Sequence, residues 1–233
     1  MEFENRRVSV IIPVFDCERY VGEAIQSALE QTLRPSEIIV VDDGSRDKTS
    51  SIVKEFFPRV RYHCQSHRGT GAARNAGVRL AKGDYLAHLD ADDIWHKEKL
   101  ALQMEAFAAH PGTDIVAGHA QQFYSPELGD DFKSKIKLNL DIIPGYIPSA
   151  LVVKKESFFR VGWYETAWRV GQDVSWFMRA KEHNLKIVMI PELVLWRRVH
   201  ENNKGFTQRG FIRDRLKILK ASMDRRRNSG QNK

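Results

Sequence analysis

The sequence predicts an α/β fold, with a mostly parallel sheet flanked by helices on both faces. Two observations carry that prediction. Apolar, β-branched runs such as "VSVIIPVF" and "EIIVV" read as strands covered on both sides. Between them lie segments with apolar residues at helical spacing, and this strand–helix alternation implies parallel pairing with right-handed crossovers.

Each element follows from its own pattern. The first strand is "RVSVIIPVF", Arg7–Phe15, and "ERYVGEAIQSALEQT" then sets Val21, Ala24, Ile25, Ala28 and Leu29 on one helical face. "EIIVVDDGS" is a second buried strand ending in acid, glycine and serine. "DKTSSIVKEFF" reads as helix, "RVRYHC" as strand, and "GTGAARNAGVRLAKG" as a helix opened and closed by glycines. "YLAHLD" is the fourth strand. A long helix, "DIWHKEKLALQMEAFAAH", follows directly, with Asp92 or Asp93 as a candidate N-cap. From about Gly118 to Pro148 periodicity fades, which reads as a long functional or mobile connection with room for a short irregular helix. Regular structure returns with the strand "SALVVKK", the helix "QDVSWFMRAKEH" and the strands "LKIVMIP" and "LVLWRRVH". Residues 205–223 form an amphipathic helix with Ile212, Leu216, Leu219 and Met223 on one side, and 224–233 has the composition of a disordered tail.

With 233 residues, 42% of them hydrophobic, the chain suits one α/β domain with a short appendage. Its longest apolar runs fall far short of a membrane span, and no leader pattern opens it. Cys17 and Cys64 lie in no metal-type spacing, so the expected setting is reducing and cytoplasmic. The net charge of +7 would hint at nucleic acid, but its distribution argues against that partner. From Arg197 onward twelve Lys and Arg stand against three Asp and Glu, which leaves −2 on the first 196 residues. Basicity belongs to the tail.

In a parallel sheet, ligands bind beyond the carboxyl ends of the strands. Three strand ends here carry polar clusters: Pro13–Asp16, Asp42–Ser45 and Asp90–Asp93. The last of these crowds Asp90, Asp92 and Asp93 together, where like charges repel and burial raises their pKa unless a cation intervenes. Capping uses one carboxylate. A divalent cation, Mn²⁺ or Mg²⁺, uses one or two plus substrate phosphates and relieves the repulsion. "RGTGAARNAG" adds a glycine-opened helix start with Arg68 and Arg74, suited to anions. It carries neither a Walker lysine nor G-x-G-x-x-G, which argues against an ATPase or an NAD enzyme.

These motifs occur in one order. "VSVIIPVFDCERYVGEAIQSALEQT", "VVDDGSRDKT", "GTGAARNAG", "AKGDYLAHLDADDIW", "VGQDVSWFMRA" and "RRVH" resemble, over residues 7–203, the family 2 glycosyltransferases. The resemblance implies a Rossmann-like GT-A fold over residues 1–204, with a nucleotide-binding half (7–117) and an acceptor-binding half (118–204). It also implies a nucleotide-diphospho-sugar donor (foremost a UDP-sugar), a divalent cation, and inversion at the anomeric carbon. By that resemblance Pro13, Val14, Phe15, Asp42, Asp43 and Arg74 line the nucleotide pocket. Asp90, Ala91 and Asp92, with Asp93 and His200, take the metal and the donor; Arg197 and Arg198 return to the diphosphate. Asp173 is the implied general base, where a helix N-cap is the plain structural alternative. The family writes Glu-Asp where this chain has Gln172-Asp173, so a carboxylate beside the base is missing. Among the aromatics, one of Trp163–Trp168 is expected on the acceptor side. The acceptor would be a saccharide or a lipid-linked sugar. The basic amphipathic helix 205–223 is expected to dock on the domain through Ile212, Leu216 and Leu219, the alternative being peripheral membrane contact through 205–227 at the inner face.

A sugar-phosphate nucleotidyltransferase would share the sheet and the aspartate-bound metal, but calls for a basic phosphate loop after the first strand; "PVFDCERYVG" is acidic and apolar. A non-catalytic protein binding nucleic acid or a membrane surface through its basic tail leaves Asp90, Asp92 and Asp173 without a purpose.

Overall fold

The structure, a computed structural model, describes residues 7–136, 138–168, 170–203 and 211–230. Strands β1 (Val8–Val14), β2 (Glu37–Asp42), β3 (Arg61–Cys64) and β4 (Tyr85–His88) alternate with helices α1 (Val21–Leu29), α2 (Thr49–Lys54) and α3 (Thr70–Leu80). They pair in parallel in the order β3-β2-β1-β4. All of β1 is buried, as its unbroken apolar run requires. Helix α3 lies tight on it: a Cβ at Gly77 would sit 2.3 Å from Ile11 Cγ2, so only glycine permits this approach.

The chain continues through β5 (Ile94–Trp95), α4 (Lys99–Ala109), β6 (Ile115–Tyr124), α5 (Asp130–Lys135) and β7 (Ile143–Pro144). After a 3₁₀ turn at Pro148–Ala150 come β8 (Leu151–Lys154), α6 (Lys155–Val161), α7 (Gln172–Glu182), β9 (Ile187–Val199) and α8 (Phe211–Gly230). The sheet extends from β4 through β8, β6 and β9 to β5, with β7 on β6. Here β9 is parallel to β6, whereas β8, β7 and β5 pair antiparallel. Apolar clusters fill both faces. One packs Val21, Ile25, Leu100 and Met104 of α1 and α4; the other packs Ala73, Val78, Phe158 and Trp176 of α3, α6 and α7. Helices therefore cover both faces, as expected.

Four local expectations are corrected. The helix after the aspartates starts only at Lys99, because Ile94 and Trp95 pair with Trp196 and Leu195 of β9 instead. Neither Asp92 nor Asp93 caps it. The stretch 118–148 is no loose connection: β6 runs to Tyr124, β7 pairs with it and α5 lies between. The two late strands are one, β9, which passes Pro191 at a break in register against β6. Finally, α8 runs from Phe211 to Gly230, so Asp224–Gly230 is helical rather than a disordered tail. Residues 205–210 and 231–233 lie outside the described residues.

α8 docks on α7, but through an unexpected face. Ile218 is buried against Gly171, and Ser222 and Arg225 bond Glu182 at the far end of α7, Arg225 Nε at 2.7 Å. Leu216 and Leu219, expected in the docking face, stay exposed. Polar partners on α7 select the Ile218–Ser222–Arg225 stripe over the purely apolar one. No helix among the described residues is long and apolar enough to cross a membrane.

Candidate active site

The carboxyl ends of β1, β2 and β4 meet at one edge. The N–H of Asp43 donates to Val14 O (2.8 Å), that of Asp16 to Ser45 Oγ (3.0 Å), and that of Arg46 to Asp16 Oδ1 (2.7 Å). Pro13 and Val14 are buried and shape this edge by backbone, while Phe15 projects outward against His67, ring centroids 4.1 Å apart. Asp42 and Asp43 are both buried, and each has a distinct task. Asp42 accepts from Ser45 N–H (2.7 Å) and from the Tyr62 hydroxyl (2.6 Å); burial and this carboxylate push the Tyr62 phenol up. Asp43 accepts from Gln65 Nε2 (2.7 Å), Arg68 N–H (2.9 Å) and Gly69 N–H (2.7 Å), with His67 Nδ1 at 3.0 Å. It thereby folds the loop that opens α3, leaving Gly69 at φ +89° as its N-cap.

The crowded aspartates resolve into three environments. Asp90 Oδ1 accepts from Arg74 at 2.6 Å, and its N–H donates to Ser149 Oγ at 3.0 Å. Asp92 Oδ2 lies 3.0 Å from His200 Nε2 and 3.3 Å from Asn203 Nδ2. Asp93 turns inward, is 4% exposed, and accepts the Arg198 N–H at 3.1 Å. Burial, with Asp92 and Asp90 nearby, pushes its carboxyl well above the ordinary range. Among the described residues no group of three or more His, Cys, Asp and Glu forms a ready metal cage. Asp92 and His200 nevertheless fit a divalent cation that takes its remaining ligands from phosphate and water. Their ligating atoms face each other, and His200 Nδ1 is buried without a partner among the described residues.

The opposite wall comes from the start of α7. Gly171, in the left-handed region at φ +79°, is the N-cap, so Asp173 sits in the first turn and is not the cap. Two contacts hold this segment to α3. Asn75 clasps the backbone of Tyr164 at both N–H and C=O, each at 2.9 Å, and a Cβ at Gly71 would lie 2.5 Å from Glu165 O. Gln172 is buried and donates to Trp168 O. Between the walls stands Arg74, 4% exposed and 5.5 Å from the Tyr164 ring. Burial works against its charge, yet Asp90, Tyr164 and Asp173 together hold its pKa above the usual arginine value. One cation thus feels both the DxD carboxylate and the carboxylate of α7.

The chain is similar to known proteins. The family described as glycosyl transferase family 2 matches residues 9–162. The chain belongs to this family. An uncharacterised glycosyltransferase of Rickettsia typhi is 35% identical over 147 residues, which make up 59% of this chain and 45% of that relative. Chondroitin synthase of Escherichia coli is 39% identical over 103 residues, 43% of this chain and 15% of its own. The chain thus spans less than half the length of either. Among solved structures, S. aureus TarS 1-349 in complex with UDP-GlcNAc superposes with a TM-score of 0.69 at 18% identity, covering 87% of this chain and 61% of that one. The fold is GT-A.

In this family 2 chain not every expected residue reaches the site. Trp163 lies against Arg79, 4.6 Å from ring centre to guanidinium, at the far end of α3, so it does not join the acceptor side. Trp168 stays near by, bonded through its carbonyl to Gln172. Arg198 is 3% exposed and each of its three guanidinium nitrogens already has a protein acceptor: Asp92 O (2.9 Å), Glu23 Oε2 (2.6 Å) and Ser125 Oγ (3.5 Å). Arg197, the next residue along the strand, is exposed. Ala91 is buried, and its carbonyl receives the Cys17 thiol at 3.5 Å. Sequence reasoning missed His67, Ser149 and Asn203, and it gave Asn75, inside "GTGAARNAG", no role of its own.

Proposed function

We propose that the chain transfers a sugar from a nucleotide-diphospho-sugar, a UDP-sugar foremost, to an acceptor hydroxyl by single displacement with inversion. The acceptor class is a saccharide or lipid-linked sugar, in cell-surface polysaccharide or glycolipid synthesis. Membership of the family supports this reading, as do relatives named as glycosyltransferases. The observation that carries it is the buried Arg74, bonded to Asp90 at 2.6 Å on a helix that packs against the start of α7, where Asp173 lies. A displacement at a sugar carbon needs negative charge stabilised on the leaving group and a base on the opposite side of the ring. Arg74 answers the first need, and Asp173 the second. Asp92 and His200 would hold a Mn²⁺ or Mg²⁺ ion, which when bound supplies Lewis-acid stabilisation of the leaving diphosphate. Phe15 and His67 offer aromatic faces at the nucleotide end, and Asp43 fixes the loop beside them. Asp173 takes the acceptor proton, with Gln172 packing its helix against α3.

The test is a thermal-shift screen of nucleotide sugars, with and without Mn²⁺, followed by donor turnover. Metal-dependent stabilisation by one donor class, with turnover lost in EDTA and restored by Mn²⁺, is expected. Stabilisation by nucleoside triphosphate and sugar phosphate instead would favour a nucleotidyltransferase.

A further inference from the structure

The C-terminal helix α8 spends only one face on the protein. Ile218, Ser222 and Arg225 are directed to α7, whereas Leu216, Leu219 and Met223 stand 60%, 50% and 55% exposed. These three are spaced three and four residues apart and so form one stripe along the helix. Lys217 and Lys220 flank that stripe and are exposed. Across Phe211–Gly230 seven Lys and Arg stand against Asp214 and Asp224, +5 on a helix of 20 residues. At 1.5 Å per residue the helix is about 30 Å long. The first 196 residues carry a net −2, so this charge is confined to one edge of the molecule.

We propose that this outward face of α8 lies on an anionic lipid surface, with Leu216, Leu219 and Met223 entering the headgroup–acyl boundary and the lysines meeting the headgroups. An apolar stripe flanked by cations is the pattern that partitions into such an interface. Each cation near the surface strengthens the partitioning by about fivefold. Charge complementarity favours this occupant over a second copy of the chain, because pairing two α8 helices would set like charges against each other, the helix staying net positive even with Arg225 paired to Glu182. The docked inner face matters as well. Ile218 packs on Gly171, the cap of the helix that bears Asp173, so the element touching lipid is fastened to a wall of the site. The contact itself stands independently of the reaction proposed above.

Flotation of the full chain with vesicles tests it. The protein should float with mixed phosphatidylglycerol–phosphatidylcholine vesicles at low salt, be released at high salt, and stay behind with pure phosphatidylcholine. Leu216→Ser/Leu219→Ser/Met223→Ser should lose the binding with its melting temperature unchanged, because these side chains project away from the docked face. Lys217→Gln/Lys220→Gln should weaken binding about tenfold or more and flatten its salt dependence. An intact chain that stays behind at low salt overturns the proposal, as does a triple variant that floats like the parent. Dimerisation in sedimentation that disappears in the triple variant, without flotation, assigns the face to a second copy and overturns it equally.

Discussion

Two buried arginines stand on either side of the aspartate cluster, and their difference separates what acts from what supports. Arg198 has a protein acceptor at each of its three nitrogens (Asp92 O, Ser125 and Glu23), and the rings of Tyr20 and Phe123 lie 4.9 and 4.8 Å from its guanidinium. Arg74 is equally buried, but among the described residues Asp90 alone accepts from its side chain, and its buried Nε has no partner there. A guanidinium held at every nitrogen builds structure. One with an unspent donor is available to a ligand, and an unpaired buried donor is tolerated where something else completes it. Sequence alone ranks the two the other way, since "RRVH" looks like the diphosphate segment.

The largest effect that would sharpen this contrast lies beyond both arginines, at the carboxylate Arg74 faces. Asp173→Asn should lower transfer by about 10²-fold or more while donor binding, read by calorimetry, is kept. Near-normal turnover would move the base elsewhere. Arg74→Lys keeps the charge but loses the planar fork, and should cut turnover about tenfold with little change in melting temperature. If it instead melts the protein without touching turnover per folded molecule, the contrast is broken. Arg198→Met should do the reverse, costing about 2 kcal/mol or more of stability in denaturant titration, because Asp92 O loses its donor in a buried place.

The smallest effect is a control at the opposite edge of the sheet. Asp114 accepts from Ser157 Oγ (2.6 Å), Arg160 (2.8 Å) and the Lys186 N–H (2.8 Å). Burial raises its pKa, but these bonds outweigh burial and hold it below the ordinary carboxylate value. A carboxylate with a depressed folded pKa contributes stability above its unfolded pKa and loses it as pH falls through the folded one. Asp114→Asn should therefore cost stability at neutral pH, with the difference from the parent shrinking below about pH 4. Turnover should not change.

The half of the molecule that was legible in sequence is the half whose strands are covered on both faces. β1 and β2 are unbroken β-branched runs, and no other element explains them. β6 was missed because its outer end, "HAQQFY", is only partly buried and its polar residues mimic a loop. β5 was read as helix because "DIWHKEKL" has good helical composition, yet pairing with β9 overrides that propensity. The docking face of α8 was misjudged because two stripes share its periodicity, and only Glu182 on α7 distinguishes them. Within the site, the three aspartates were legible as a cluster. Their separate environments were not, since these depend on which way each side chain turns and on partners such as Asn203 and Arg198 that lie in a segment far along the chain.

That distance has a consequence for how the site comes into being. Asp92 meets His200 across 108 residues of sequence, and β5 can pair only when β9 exists. Closing so long a loop is entropically slow, and topologies rich in such contacts fold late. During synthesis the strands β1 to β4 can gather while the DxD loop has no partner to hold it. The site's final form waits for β9, so a chain cut short before residue 200 keeps most of its sheet and lacks the groups that set Asp92.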